Sequence, residues 1–192
     1  KKLASRFGAI TDSVPRTGEA DRLLVSADRN PNSNGARLTG ISYTEMGIRL
    51  TEIAEGIRSG AIRTLLVFGE DVTQHGIGSD LLARLETLVV SDILPNPTTA
   101  AAHYLLPGCA HAEKRGTFIN GKGRLQRFLK AVEGRGDARP EWEFLRDLAA
   151  SVTGKSAPAT LEGIFNEMSD SIPAFGGVRW SGIGDLGVNV TI

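Results

Sequence analysis

Residues 102–128, AHYLLPGCAHAEKRGTFINGKGRLQRF, hold most of the side chains able to do chemistry. The stretch reads as a short apolar strand ending at Pro107, a polar loop of Gly108, Cys109, His111, Glu113, Lys114 and Arg115, and two β-prone runs about Asn120-Gly121. Asn-Gly between residues able to pair predicts a tight hairpin turn, because both positions tolerate positive φ. Asn120, Arg124 and Gln126 then offer directional hydrogen bonds, and small neighbours let a backbone approach closely. The same hairpin also serves as a packing arm or sheet edge, and spacing alone does not separate the two roles.

Cys109 is the single cysteine. It forms no internal disulfide and builds neither an iron–sulfur cluster nor a Cys-rich zinc site. His111 lies two residues on, but no third group is indicated to orient the pair, so the thiol reads as buried or incidental rather than nucleophilic. His75, His103 and His111 lack metal-ligand spacing. No Gly-x-Gly-x-x-Gly follows a strand and there is no Gly-Lys-Ser/Thr. His75-Gly76-Ile77-Gly78 is a small glycine loop whose amides could hold an anion at a helix start; turn-making explains its glycines equally well.

The elements that position these groups alternate. Apolar spacing predicts helices over residues 1–10, 43–59 and 79–86, with Thr44 and Gly60 as caps of the second. Short apolar runs predict strands at 21–27 (DRLLVSA), 63–68, 87–91 and 104–106, with a helical turn at 97–103. Strand–helix alternation of this kind predicts an α/β, Rossmann-like, doubly wound and mainly parallel four-stranded sheet with helices on both faces. The hairpin and C-terminal helices follow: one from Pro140, carrying Trp142, Leu145 and Leu148, and one over 160–170 with Thr160 as cap. The division expected is an α/β domain over 1–155 and a C-terminal helix with a Gly-rich extended tail over 156–192. Loops 28–35, 69–77, 92–97 and 107–115 should share one rim at the carboxyl ends of the strands, where ligands of open α/β sheets bind.

A chain of 192 residues buries a core without disulfides. Its 22 basic and 22 acidic residues cancel, which removes the electrostatic case for binding nucleic acid. A local basic patch, Lys114, Arg115, Lys122, Arg124, Arg127 and Lys130, fits a protected sheet edge. No apolar run approaches the ~20 residues that cross a bilayer, so no direct membrane insertion is expected. The chain starts without Met inside a helical pattern, so a fragment of a longer polypeptide is expected.

The segment LLPGCAHAEKRGTFINGKGRLQRFLKAV resembles the molybdopterin oxidoreductase superfamily. The match runs through Leu106, Pro107, Glu113, Lys114, Gly116, Thr117, Phe118, Asn120, Gly123, Arg124 and Gln126. Upstream, NPNSNGARLTG and LLVFGEDV are similar to further segments of that superfamily. The closing IFNEMSDSIPAFGGVRWSGIGDLGV looks most like the large iron–sulfur subunit of respiratory complex I, the NADH-quinone oxidoreductase. That resemblance implies a non-catalytic scaffold domain supporting electron transfer from NADH to quinone. No cofactor is then expected in this chain, and the iron–sulfur clusters sit elsewhere in the full subunit. Its partners would be the other subunits of the peripheral arm, on the cytoplasmic side of a bacterial inner membrane or the matrix side of a mitochondrial one. Glu70-Asp71-Val72 stands where cofactor-binding relatives have Asn-Pro, and His103 where they have Asp. The alternative implied by the same superfamily is a fragment of a formate dehydrogenase-like enzyme. In it Asn32, Gly35, Gly69, Glu70, Asn120, Arg124 and Gln126 would face a pterin dinucleotide.

Overall fold

Residues 1–192 are described by a computed structural model. Its helices are α1 Lys2–Phe7, α2 Ser33–Leu38, α3 Leu50–Ser59, α4 Ser79–Leu82, α5 Pro97–Ala100, α6 Glu141–Thr153 and α7 Leu161–Ser171. Its strands are β1 Thr64–Phe68, β2 Thr87–Asp92, β3 Tyr104–Pro107, β4 Gly116–Ile119, β5 Arg124–Phe128 and β6 Val188–Asn189. They form a three-stranded parallel sheet, β1-β2-β3, and a three-stranded antiparallel sheet, β4-β5-β6. The chain divides into two units that interleave. One takes Lys1–Gly47, Arg115–Leu129 and Ala149–Ile192; the other takes Ile48–Lys114 and Lys130–Leu148.

The parallel unit is an α/β layer. Val67 pairs with Val90 and Phe68 with Ser91, so alternation along each strand turns Val67, Leu88 and Val90 to one face and Phe68 and Ser91 to the other. The first face carries the core: Leu88 and Val90 are fully buried, with Ile53, Ile57, Ile77, Leu81, Leu82 and Leu85. α3 meets α4, and α4 meets α5. On the opposite face Phe68 lies 6.4 Å from Phe144 of α6, ring centroid to ring centroid. Leu50, Ile53, Ala54 and Ile57 fall at i, i+3, i+4 and i+7, the spacing of a core-facing helical stripe. Gly60, at φ +78°, ends α3 in the left-handed region.

Two expectations are corrected here. The helix predicted over 43–59 begins only at Leu50, because Gly47 adopts φ +81° and its amide is taken by the Asp12 carboxylate at 3.0 Å. Thr44 therefore caps nothing. The strand predicted at 21–27 does not form, and the parallel sheet has three strands rather than four. Asp21 Oδ1 accepts from the backbone amides of Leu23, Leu24 and Val25, each at 2.8 Å. Those amides are thereby removed from any ladder, and an Asx-type turn replaces the strand. The flanks return as an arm, with Gly18 N donating to Ala27 O and Arg29 N to Arg16 O. Leu23 and Leu24, at its tip, are 88% and 94% exposed.

The antiparallel unit is built on the hairpin. Ile119 and Leu125 pair across it and are buried with Phe165, Phe175, Trp180 and Ile183. Phe165 meets Phe175 and Trp180 edge-on, at 6.1 and 5.7 Å. The Gly-rich tail is thus part of a core, and its β6 adds the third strand. Thr160 caps α7 as the sequence predicts, its hydroxyl accepting from Gly163 N at 3.1 Å.

Candidate functional site

The hairpin turn differs from the expected two-residue Asn-Gly form. No non-glycine residue has positive φ, and the left-handed position is Gly123 at +78°. Asn120 O accepts from Gly123 N, and Asn120 N donates to Arg124 O, the pattern of a three-residue loop with a bulge. The Asn120 side chain holds that loop, its Oδ1 accepting from Lys122 N at 2.9 Å and Arg124 N at 3.0 Å.

The residues beginning α2 grip this turn. Asn32 Oδ1 accepts from Ile119 N at 2.8 Å, and Asn34 Nδ2 donates to Asn120 O at 2.7 Å. Arg37 donates to Asn34 Oδ1, so both ends of the Asn34 amide are engaged. Gly35 is required by the grip, since a Cβ there would collide with the Asn32 side-chain amide. Arg124 donates to Leu186 O at 3.0 Å, and Gln126 is exposed on β5.

Between this grip and the arm lies a pocket of about 100 Å³. Ser26, Asp28 and Asn30 line it from the arm side, and Ile119 and Gly121 from the hairpin. Ser33 and Asn34 complete it; Ser33 is 5% exposed and its hydroxyl has no hydrogen-bond partner. Asp28 Oδ1 accepts from Asn30 N at 2.9 Å, and Asn30 Oδ1 accepts from Arg16 at 3.4 Å. Sequence reasoning singled out Asn32 and Gly35 and included Ser33 and Asp28 only as members of the 28–35 loop expected on the rim. Their only signal was membership of a turn-rich run, which says nothing about which hydroxyl is buried.

Gly69 and Glu70 lie in the parallel unit, where β1 ends. Gly69, at φ +64°, donates its amide to Ser91 O at 2.8 Å, and Glu70 Oε1 is 3.7 Å from His75 Nε2. Beside them Asp71 accepts from Thr73 Oγ1 and from the fully buried Thr98 Oγ1, both at 2.7 Å. Burial pushes the Asp71 carboxyl up, but the hydrogen bonds from Thr73 and Thr98 outweigh it and hold it below its ordinary value. The strand order steps in one direction, β1-β2-β3, so these strands contain no reversal of the kind that opens a ligand crevice.

Cys109 is buried, with its thiol pushed up by that burial and then by Glu113 and Glu141. It stays protonated, the opposite of an activated nucleophile. No hydrogen bond joins it to His111, which is exposed. His103 Nδ1 accepts from Leu88 N at 2.8 Å, a bond from β2 to the residue just before β3. No group of three or more His, Cys, Asp or Glu side chains is placed to hold a metal ion, and no helix is long and apolar enough to cross a membrane.

Three relatives and one solved structure place the chain. It is 39% identical, over 94% of its length, to the F420-dependent formate dehydrogenase 2 subunit alpha of Methanococcus maripaludis. It is 35% identical over 71% of its length to the NADPH-Fe(3+) oxidoreductase subunit alpha of Geobacter sulfurreducens. To formate dehydrogenase H of Escherichia coli it is 28% identical over 73%. It spans only 27%, 17% and 20% of those proteins respectively. Acetylene hydratase from Pelobacter acetylenicus shares the fold, at TM-score 0.53 and 19% identity over 74% of this chain and 21% of that one. These relatives replace the expected assignment to the large iron–sulfur subunit of complex I. A molybdopterin oxidoreductase family model matches residues 7–151, and with the hairpin, the α2 grip and the parallel layer inside those bounds, the chain belongs to the molybdopterin oxidoreductase family.

Proposed function

We propose that this chain is a segment of a formate dehydrogenase-like molybdopterin oxidoreductase and supplies part of the wall that holds a pterin dinucleotide. The observation that carries the reading is the 39% identity, over 94% of this chain, to a formate dehydrogenase alpha subunit, joined by a polar pocket beside the hairpin. The polar lining of that pocket, with Ser26, Asp28 and Asn30, fits a hydrogen-bonding heterocycle. Ser26, Asp28, Asn30 and the backbone at Gly121 would meet the cofactor on one side. Arg124 and Gln126 are the further candidates in this unit. Bound, such a cofactor supplies two-electron redox chemistry at its metal, and the protein supplies orientation and electrostatics.

The chain's own work in this reading is positional. Asn32 and Asn34 fix the hairpin turn, and the buried Ile119 lines the pocket. The test is the metal and pterin content of the intact polypeptide, by inductively coupled plasma mass spectrometry and by fluorescence of the oxidised pterin. Stoichiometric molybdenum or tungsten with pterin is expected. An intact protein that never carries either would overturn the reading.

A further inference from the structure

The α2 grip joins the chain's two Asn-Gly dipeptides, Asn34-Gly35 and Asn120-Gly121. In such a pair the Gly nitrogen, with no Cβ beside it, is free to attack the Asn side-chain carbonyl. The bond from Gly N to Asn Cγ forms, the Cγ–Nδ2 bond breaks, and ammonia leaves with the proton of the glycine amide. Water then opens the cyclic imide, at Cγ to give Asp or at the main-chain carbonyl to give isoaspartate, whose backbone is longer by a methylene. The two sites differ in what must open first. Asn34 is 6% exposed, both ends of its amide are engaged, and Gly35 is buried within α2. Its reaction waits on unwinding of α2 and release of the hairpin. Asn120 and Gly121 are exposed at the hairpin tip, and a Cβ on Gly121 would meet nothing within 4 Å. Neither Gly121 N nor Asn120 Nδ2 donates to another protein group. The Asn120 side chain is held by Lys122 N and Arg124 N alone, both within or beside its own loop. Opening a loop tip costs far less than opening a packed helix.

We propose that Asn120 is a site of spontaneous deamidation to isoaspartate, and that its conversion releases the hairpin turn from α2. Asn120 O accepts from Asn34 Nδ2 and Gly123 N, and Asn120 N donates to Arg124 O. In isoaspartate the added methylene lies between that nitrogen and the carbonyl of the peptide bond, so the three bonds lose their register. Conversion to Asp leaves the backbone as it was, and an Asp carboxylate still accepts from Lys122 N and Arg124 N. The damage is therefore in the backbone and not in the new charge.

The full chain is incubated at mildly alkaline pH, and peptide mapping by mass spectrometry follows both dipeptides, with isoaspartate counted by enzymatic methylation. Asn120 should convert at least about tenfold faster than Asn34 in the native protein, the ratio set by the smaller opening it requires. In guanidinium chloride, where both dipeptides are unfolded, the two rates should converge. Gly121→Ala should slow conversion several-fold. The aged, isoaspartate-containing protein should melt lower than fresh protein, whereas Asn120→Asp should melt as fresh wild type does. The proposal is overturned if Asn34 converts as fast as Asn120 in the native chain, or if the ratio is the same in denaturant. It is equally overturned if Gly121→Ala leaves the rate unchanged, if aged protein melts as fresh protein does, or if Asn120→Asp melts as low as the aged form.

Discussion

The side-chain oxygen of Asn32 accepts the backbone amide of Ile119 at 2.8 Å, joining positions 87 residues apart. Ile119 is 3% exposed, so its amide has no water to turn to when that oxygen is lost. Asn32→Ala should cost about 1–3 kcal/mol, and Asn32→Asp, which keeps an acceptor, less. Gly35→Ala should resemble Asn32→Ala, because the new methyl occupies the place of the Asn32 amide. Urea midpoints of the three variants check the order.

The hairpin glycines should behave oppositely. Gly123 is at φ +78°, and a Cβ on it would stand 2.8 Å from Val190 O, whereas Gly121 has open space and ordinary φ. Gly123→Ala should cost roughly 1–3 kcal/mol of backbone strain, and Gly121→Ala should be close to neutral. Thermal unfolding of the two variants side by side decides it; equal losses would mean that the turn is the two-residue Asn-Gly form after all.

The parts of the fold legible in the sequence were those set by local rules. The spacing of Ile53 and Ile57, Gly60 as a helix end, Thr160 as a cap and the pairing across Asn120 all follow from period and turn chemistry. What misled was a side chain competing with the backbone. DRLLV has the composition of a buried strand, and only the geometry of the Asp21 carboxylate turns it into a loop. The candidate site was half legible for a related reason. Asn32, Gly35 and Asn120 stand out by type, but the contact of Asn34 with Asn120 spans 86 residues, and no local pattern encodes which hydroxyl such a contact leaves unpaired.

Acid should loosen the loop leaving β1. The folded Asp71 carboxyl lies below its ordinary value of 3.8, so its contribution is fully present above that value and is lost as pH falls through the folded one. Thr98→Val removes a donor to Asp71 and the acceptor of Val72 N at 3.0 Å. The variant should lose about 1–3 kcal/mol at neutral pH, and because its Asp71 carboxyl moves back toward the ordinary value, it should lose less further stability than wild type as the pH is lowered. Denaturation series run from neutral pH downward measure both effects.

The arm tip offers a cleaner case. Asp21 is held below its ordinary value by the amides of Val25, Leu23 and Leu24, so the tip is ordered while the carboxylate is ionised and loosens as it protonates. Asp21→Ala should speed tryptic cleavage at Arg22 several-fold without moving the global melting temperature. Leu23→Ser with Leu24→Ser should leave stability unchanged, since both side chains are already in water. A fall in melting temperature in either variant would show that the tip is packed.

The interleaved path of the chain has a consequence for synthesis. Every segment of the parallel layer has left the ribosome by Leu148, whereas the antiparallel unit needs β6, at Val188–Asn189, to finish its sheet. Vectorial folding therefore leaves the flank of β5 and the aromatic cluster unsealed until residues 175–189 emerge. A product stalled before β6 would therefore leave that side of β5 as a free edge.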